Sequence, residues 1–338
     1  MSDSTTALTA AFVVPSDILD EVYGAAAVAE VNRHARLAHP PLSADELLGA
    51  DHPWTCEVDV LFTSWRAPVL NESMLARFPR LRAVFYAAGS VRHFVTPAFW
   101  QRGITLSSAA AANAVPVAEY TIAAIFMGLK RVWATARRTR ETKSFDRGAI
   151  VADGAYQSRV GLVSLGAIGR LVVDRLRPFE VEIAAYDPFV SAADAAALGI
   201  RSLSLEELFA TSSVVSLHAP RLPETLGLIN GRLLASMRPG ATFINTSRGA
   251  LVKEGELCAV LGARPDLQAV LDVTDPEPPL ADSPLYTLPN VVLTPHIAGS
   301  LGPERRRLGA LMIAEFHRFR IGKPLQHGVT EVRAMHMA

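Results

Sequence analysis

The sequence predicts an α/β protein made of parallel sheets with helices on both faces, in two domains. Short apolar runs alternate with helix-patterned segments almost throughout. The alternation lapses over the weakly periodic residues 141–158 and then restarts. The chain has 338 residues, half of them hydrophobic and a fifth charged, which is enough apolar material for two cores.

Residues 10–14, 58–62 and 83–86 read as buried strands, with helices at 43–48 and 71–78 between them. A long helix is predicted over 115–138. Its apolar residues (Val117, Tyr120, Ile122, Ala124, Ile125, Leu129, Val132) cover more than one face, so it is expected to be buried. After the lapse come a strand at 159–163, a helix at 168–176 and a strand at 181–186. Ser204 and Glu207 have capping-box spacing and open another helix. Strands follow at 214–217, 242–244, 269–271 and 291–293, and a helix at 304–321 closes the pattern. Arg305, Arg306 and Arg307 read as a solvated face of that helix.

Formal net charge is zero, which gives no bulk electrostatic case for nucleic acid or an anionic membrane. The apolar stretch 121–129 is too short to span a bilayer. Residues 1–11 lack the basic and apolar regions of a signal peptide. Cys56 and Cys258 make neither a disulfide framework nor a metal spacing, so reduced thiols, a cytoplasmic setting and no metal are expected.

The first chemical signal lies at residues 159–169. A strand runs into Ser164-x-Gly166-x-x-Gly169 and then into a helix. In such a turn the middle glycine lets the backbone approach a pyrophosphate, and the last lets helix and strand pack closely. The helix N-terminus offers N–H groups to the phosphates. Serine at the first position weakens only the tight-turn task. Asp187 stands 21 residues past Gly166, at the end of the next strand, where a carboxylate can accept hydrogen bonds from an adenosine ribose. No Lys or Arg occurs over 188–200 to pair a 2′-phosphate, so NAD is expected over NADP.

Three polar segments then follow three predicted strands: one holds Thr246, Ser247 and Arg248, one Asp272 and Glu277, one His296 and Gly299. Ligands of open α/β sheets bind beyond the carboxyl ends of strands, so these loops are expected to converge. Their residue types suit hydride exchange at a carbonyl or alcohol. A histidine moves the proton on oxygen, a neighbouring carboxylate such as Glu277 orients it, and an arginine grips a substrate carboxylate through paired N–H groups. Read singly, each is an ordinary loop residue; the combination beside a dinucleotide turn gives them weight.

At these residues the sequence resembles the D-isomer-specific 2-hydroxyacid dehydrogenase family, which includes phosphoglycerate dehydrogenases and glyoxylate/hydroxypyruvate reductases. The resemblance covers roughly residues 58–323. It is carried by Ala88-Gly89-Ser90-Val91, Asn113 with Val117-Ala118-Glu119, the glycine turn, Ser216-Leu217-His218-Ala219-Pro220, Thr246-Ser247-Arg248-Gly249, Leu271-Asp272-Val273, Glu277-Pro278 and Thr294-Pro295-His296. It implies a flavodoxin-like substrate domain, residues 1–112 with 301–338, interrupted by a Rossmann NAD domain, residues 113–300, with the active site in the cleft between them. It implies catalytic roles for Arg248, Glu277 and His296, and cofactor contacts from Gly166, Ala167, Ile168, Gly169, Asp187, His218, Pro220, Thr246, Ser247, Asp272 and Gly299. Gly89, Ser90 and Val91 match the loop whose N–H groups meet the substrate carboxylate, and a homodimer through the NAD domain is the family habit. Arg92 and His93 depart from the usual continuation of that loop and either add positive charge near the cleft or face water. The implied activity is NAD-dependent interconversion of a small D-2-hydroxy acid and its 2-keto acid. The alternative is a dinucleotide-sensing binding protein like the C-terminal-binding corepressors of the same fold. Formate dehydrogenases carry Gln at the position of Glu277 and fit less well.

Overall fold

The structure, a computed structural model, describes residues 8–146 and 152–337. It divides into two compact units: residues up to Asn113 together with Ser300–Met337, and Ala114–Gly299.

The first unit holds a five-stranded sheet of β1 (Thr9–Val13), β2 (Arg36–Leu37), β3 (Val60–Thr63), β4 (Ala83–Tyr86) and β5 (Thr105–Ser108). The order is β2-β1-β3-β4-β5 and every pairing is parallel, the flavodoxin-like arrangement. Phe12 stacks on Phe62 and Phe62 on Phe85, and Phe316 of the helix Arg305–Arg320 packs edge-on to the last two. This helix comes very near the N-terminal segment. A Cβ on Gly309 would lie 2.2 Å from the Val22 carbonyl oxygen, so only glycine fits there. Glu315 on the same helix is buried, and its carboxylate accepts from the N–H groups of Gln326 and His327, with Ser107 Oγ 3.2 Å away. Those donors satisfy a polar group that burial would otherwise leave unpaired.

Three expectations for this unit are corrected. β5 escaped the sequence because Thr-Leu-Ser-Ser has one apolar residue. Its serines hydrogen-bond inward instead, Ser107 Oγ to the His327 carbonyl and Ser108 Oγ to those of Ala88 and Gly89. The terminal helix is followed by another, Glu331–Met335, capped by Thr330. Arg305 is no plain solvated residue: it pairs with Glu21 and lies over the Trp65 ring.

The second unit holds β6 (Arg159–Val163), β7 (Glu182–Tyr186), β8 (Arg201–Ser202), β9 (Val214–Leu217), β10 (Thr242–Asn245), β11 (Gln268–Leu271) and β12 (Val291–Leu293). The order is β12-β11-β10-β9-β6-β7-β8, all parallel. The connections reverse direction between β6 and β9, which is where a Rossmann sheet opens a crevice beyond its strand ends. The predicted helix at 115–138 is two helices, Ala110–Leu129 and Val132–Thr142. The break is at Arg131, which has a left-handed φ of 51° and donates from its guanidinium to the Asp266 carbonyl. The first of these helices has the length and composition to cross a membrane, beyond the short stretch read from the sequence. Its Ala118, Ile125 and Leu129 are buried in a core cluster with Val160, Leu162 and Ile244. The capping box of Ser204 and Glu207 is formed. The lapse at 141–158 falls partly on 147–151, outside the described residues.

Candidate active site

The glycine turn follows β6. Ser164 takes the place of the first glycine and adopts φ 78°, the left-handed geometry that glycine adopts without strain. Gly169 needs to be glycine, because a Cβ there would sit 2.3 Å from the Ser164 carbonyl oxygen. Gly166 caps the helix Ala167–Leu176, and a Cβ on it would meet nothing within 4 Å. The two glycines thus divide the work: one closes the turn against its helix, the other leaves room above the helix N-terminus, where Ala167 and Ile168 form the first turn. Asp187 follows β7 and is partly exposed. Its Oδ2 accepts from Leu165 N–H at 2.7 Å and Ser164 Oγ at 3.3 Å, its Oδ1 from Phe189 N–H at 2.8 Å. The carboxylate therefore spans the glycine turn and its own strand end.

At the end of β9, His218 is buried, and neither ring nitrogen has a hydrogen-bond partner among the described residues. Burial pushes its pKa down to about 4. Two residues on, Pro220 leads into Arg221, whose charge lowers the Arg248 pKa. β10 ends in Asn245, whose side chain ties the next loop: its Oδ1 accepts from Ser247 N–H and its Nδ2 donates to the Arg248 carbonyl, both at 3.0 Å. Ser247 Oγ donates to the Ala219 carbonyl, and Thr246 Oγ1 lies 3.3 Å from Thr121 Oγ1. Gly249 passes so close to the next loop that a Cβ would fall 1.9 Å from the Thr274 carbonyl carbon. This explains why Arg248 is followed by glycine. The Arg248 guanidinium is largely buried; desolvation lowers its pKa most, opposed by the nearby Glu277 carboxylate.

The β11 and β12 loops meet through Asp272, which is 1% exposed. Its Oδ1 accepts from Thr294 Oγ1 at 2.6 Å and Ile297 N–H at 2.8 Å, its Oδ2 from Ala298 N–H at 2.8 Å, and its carbonyl from His296 N–H at 3.0 Å. The Thr294 proton is committed to Asp272, so the Tyr120 hydroxyl, 3.0 Å away, donates to Thr294. The loop holds His296 at φ 55° with Nδ1 2.7 Å from Glu277 Oε1, both side chains about half exposed. With Nδ1–H given to the carboxylate, Nε2 faces outward.

The structure thus sets Gly166, Ala167, Ile168, Gly169, Asp187, His218, Pro220, Thr246, Ser247, Arg248, Asp272, Glu277, His296 and Gly299 at or beyond the carboxyl ends of one sheet. Gly89, Ser90 and Val91 follow β4 in the other unit. Partial desolvation lowers the pKa of the neighbouring His93, opposed by a hydrogen bond to the Ser90 backbone, and both Arg92 and His93 reach solvent. Sequence reasoning gave no task to Tyr120, Thr294 or Asn245. Thr294 stood inside a recognised motif, but a supporting hydroxyl looks like any other threonine until its partner is seen.

The donor set fits a dinucleotide on two observations: the open space at Gly166 and the unpartnered His218 ring. Residues 122–298 match the family model described as "D-isomer specific 2-hydroxyacid dehydrogenase, NAD binding domain". The chain is 33% identical over 310 residues to an (S)-sulfolactate dehydrogenase of Chromohalobacter salexigens, covering 90% of this chain and 97% of that one. It is 35% identical over 265 residues to a D-3-phosphoglycerate dehydrogenase of Mycobacterium tuberculosis, covering 78% of this chain and 49% of that one. The chain therefore spans about half the length of the phosphoglycerate dehydrogenases it matches. A crystal structure of a phosphoglycerate oxidoreductase from Rhizobium etli shares the fold, with a TM-score of 0.79 and 21% identity over 96% of this chain and 99% of that one.

Proposed function

The chain belongs to the D-isomer-specific 2-hydroxyacid dehydrogenase family, and from that premise we propose that it is an NAD-dependent oxidoreductase interconverting a small D-2-hydroxy acid and its 2-keto acid. The observation that carries the reading is His296 Nδ1 held 2.7 Å from Glu277, with the partly buried Arg248 guanidinium in the field of the same carboxylate.

Bound NAD would supply the hydride acceptor, and NADH the donor. Gly166, Gly169, Ala167 and Ile168 would receive the pyrophosphate, Asp187 the adenosine ribose, and His218 and Pro220 the cofactor beside β9. Thr246, Ser247, Asp272 and Gly299 would line the cofactor side through the backbone of their loops, because the side chains of the first three are already hydrogen-bonded. In the reductive direction His296 Nε2 gives a proton to the substrate oxygen as the carbonyl carbon is reduced. Oxidation of the hydroxy acid returns that proton to Nε2. Glu277 keeps Nδ1–H pointing toward itself, which leaves Nε2 as the nitrogen that exchanges the proton. Arg248 pairs with the substrate carboxylate and fixes the reacting carbon. We assign the backbone N–H groups of Gly89, Ser90 and Val91 to substrate binding, and expect a cytoplasmic homodimer.

Both named relatives are called after hydroxy acids bearing a second anionic group, so the substrate panel should include phosphorylated and sulfonated 2-keto acids beside glyoxylate and hydroxypyruvate. The test is NADH oxidation across that panel, repeated with NADPH. Turnover with NADH exceeding that with NADPH supports the reading. NADH binding with no turnover on any member would favour a binding protein, and a strong NADPH preference would remove the role given to Asp187.

A further inference from the structure

Away from that sheet, in the first unit, the helix Gly24–His34 and the helix Arg305–Arg320 bring three metal-ligating side chains together. Glu30 and His34 are one helical turn apart and share a face. His317 comes from the other helix. His34 Nε2 lies 3.2 Å and His317 Nε2 3.0 Å from the same oxygen, Glu30 Oε1. All three ligand atoms fall within 4.8 Å of one another, and the imidazole rings meet edge to face at 5.0 Å.

We propose that Glu30, His34 and His317 form a zinc site that clasps the helix Gly24–His34 to the helix Arg305–Arg320. Ligand atoms about 2.0–2.1 Å from a tetrahedral zinc lie about 3.3 Å from each other. The two His–Glu separations already have that spacing, and the metal would sit where the three atoms converge. Two imidazoles and one carboxylate match zinc better than calcium or magnesium, which take oxygen ligands. The fourth position would be water, because all three side chains retain partial exposure, with relative areas of 31%, 26% and 32% for His34, Glu30 and His317.

Two neighbours support the geometry. Arg33 pairs with Glu30 Oε2, the oxygen that faces neither histidine. It thereby orients the carboxylate with Oε1 toward the imidazoles, as an outer-shell partner does. The close crossing at Gly309 fixes the spacing of the C-terminal helix against the N-terminal segment. The clasp would join parts of one unit that are separated in sequence by all of Ala114–Gly299. Closing so long a loop is where a cross-link constrains the unfolded chain most.

The competing account is a hydrogen-bonded cluster in which both imidazoles donate N–H to Glu30 and no metal binds. The full, untagged chain is stripped with chelator and titrated with zinc chloride by calorimetry, and its thermal transition is followed with and without one equivalent of zinc. The proposal expects one zinc per chain from this cluster and a higher transition temperature in zinc. It expects His34→Ala and His317→Ala each to weaken binding by more than the roughly 10–100-fold that loss of an outer-shell partner costs. His34→Gln and Glu30→Gln, which preserve side-chain size, should act in the same direction, so a folding defect in one alanine variant does not decide the matter. His296→Ala removes the other His–Glu pair and should leave this binding intact. Absence of zinc binding by the wild-type chain overturns the proposal. So does binding that survives His34→Ala and His317→Ala, or that is lost in His296→Ala.

Discussion

Asp187 after β7 and Asp272 after β11 stand at strand ends of the same sheet, and each suspends a neighbouring loop from its carboxylate. Asp187 holds the N–H groups of Leu165 and Phe189 yet stays partly exposed, so its oxygens can still accept from a ligand. Asp272 is sealed at 1% exposure and saturated by Thr294, Ile297 and Ala298. Both occupy motif positions of the family, but their chemistry differs. One is a strand-end acid with capacity left for a cofactor; the other is a buried anchor that positions His296. A carboxylate's place in a motif does not say whether it faces the ligand or the loop that faces the ligand.

That distinction can be broken by substitution. Asp272→Ala should have the larger effect on stability, because it strands the buried Ala298 N–H and the partly buried donors of Thr294 and Ile297. The cost is roughly 2–3 kcal/mol, at about 1–3 kcal/mol for the buried group and less for the two partly buried ones, read by denaturant melts, with a fall in kcat as the His296 loop loosens. The same melts on Asp187→Ala should show a smaller loss; the reverse ranking would collapse the comparison.

His218 gives a contrast at the end of β9: buried like Asp272 but without hydrogen-bond partners among the described residues. The unfolded chain takes up a proton on this ring near pH 6.5, and the folded one resists until about pH 4. Between those values the unfolded state binds more protons, so this contribution to stability is fully present above about pH 6.5 and is lost as pH falls through the window. The loss reaches roughly 3 kcal/mol at most. His218→Gln should flatten that acid-side slope in melts at pH 7 and 4.5. An unchanged slope would mean the ring is hydrated.

Asp187→Ala should raise KM for NADH by roughly 10–100-fold, the worth of a charge-assisted hydrogen bond. Its kcat should change less, and its discrimination against NADPH should narrow. The smallest effect belongs to Ser164→Gly. It relieves the left-handed backbone of a non-glycine residue, worth roughly 1 kcal/mol, and gives up the 3.3 Å contact to Asp187 and some chain entropy. The net stability change should be under about 1 kcal/mol in either direction, again from melts.

Much of the second unit was legible in its sequence. β6, β9 and β12 are short runs rich in Val and Leu with chemistry at their ends, and the strands sit within a residue of where those runs place them. Buried parallel strands have little freedom in composition, which makes them readable. β5 was not readable, because its serines satisfy themselves against backbone carbonyls of distant residues. The break at Arg131 was hidden too, since the apolar pattern runs through it and the left-handed turn is accompanied by a contact to Asp266, 135 residues away. At the site, His296, Glu277 and Arg248 were visible by residue type and position. The Tyr120–Thr294–Asp272 chain was not, because it joins residues up to 174 positions apart that carry no reacting group.

The central claim is that His296 moves the proton while hydride passes between cofactor and substrate. The most direct test compares wild type and His296→Ala for NADH binding and for turnover on the best 2-keto acid of the panel. The account predicts unchanged NADH affinity and a fall in kcat of roughly 10²–10⁴-fold. Turnover in His296→Ala equal to wild type would contradict it.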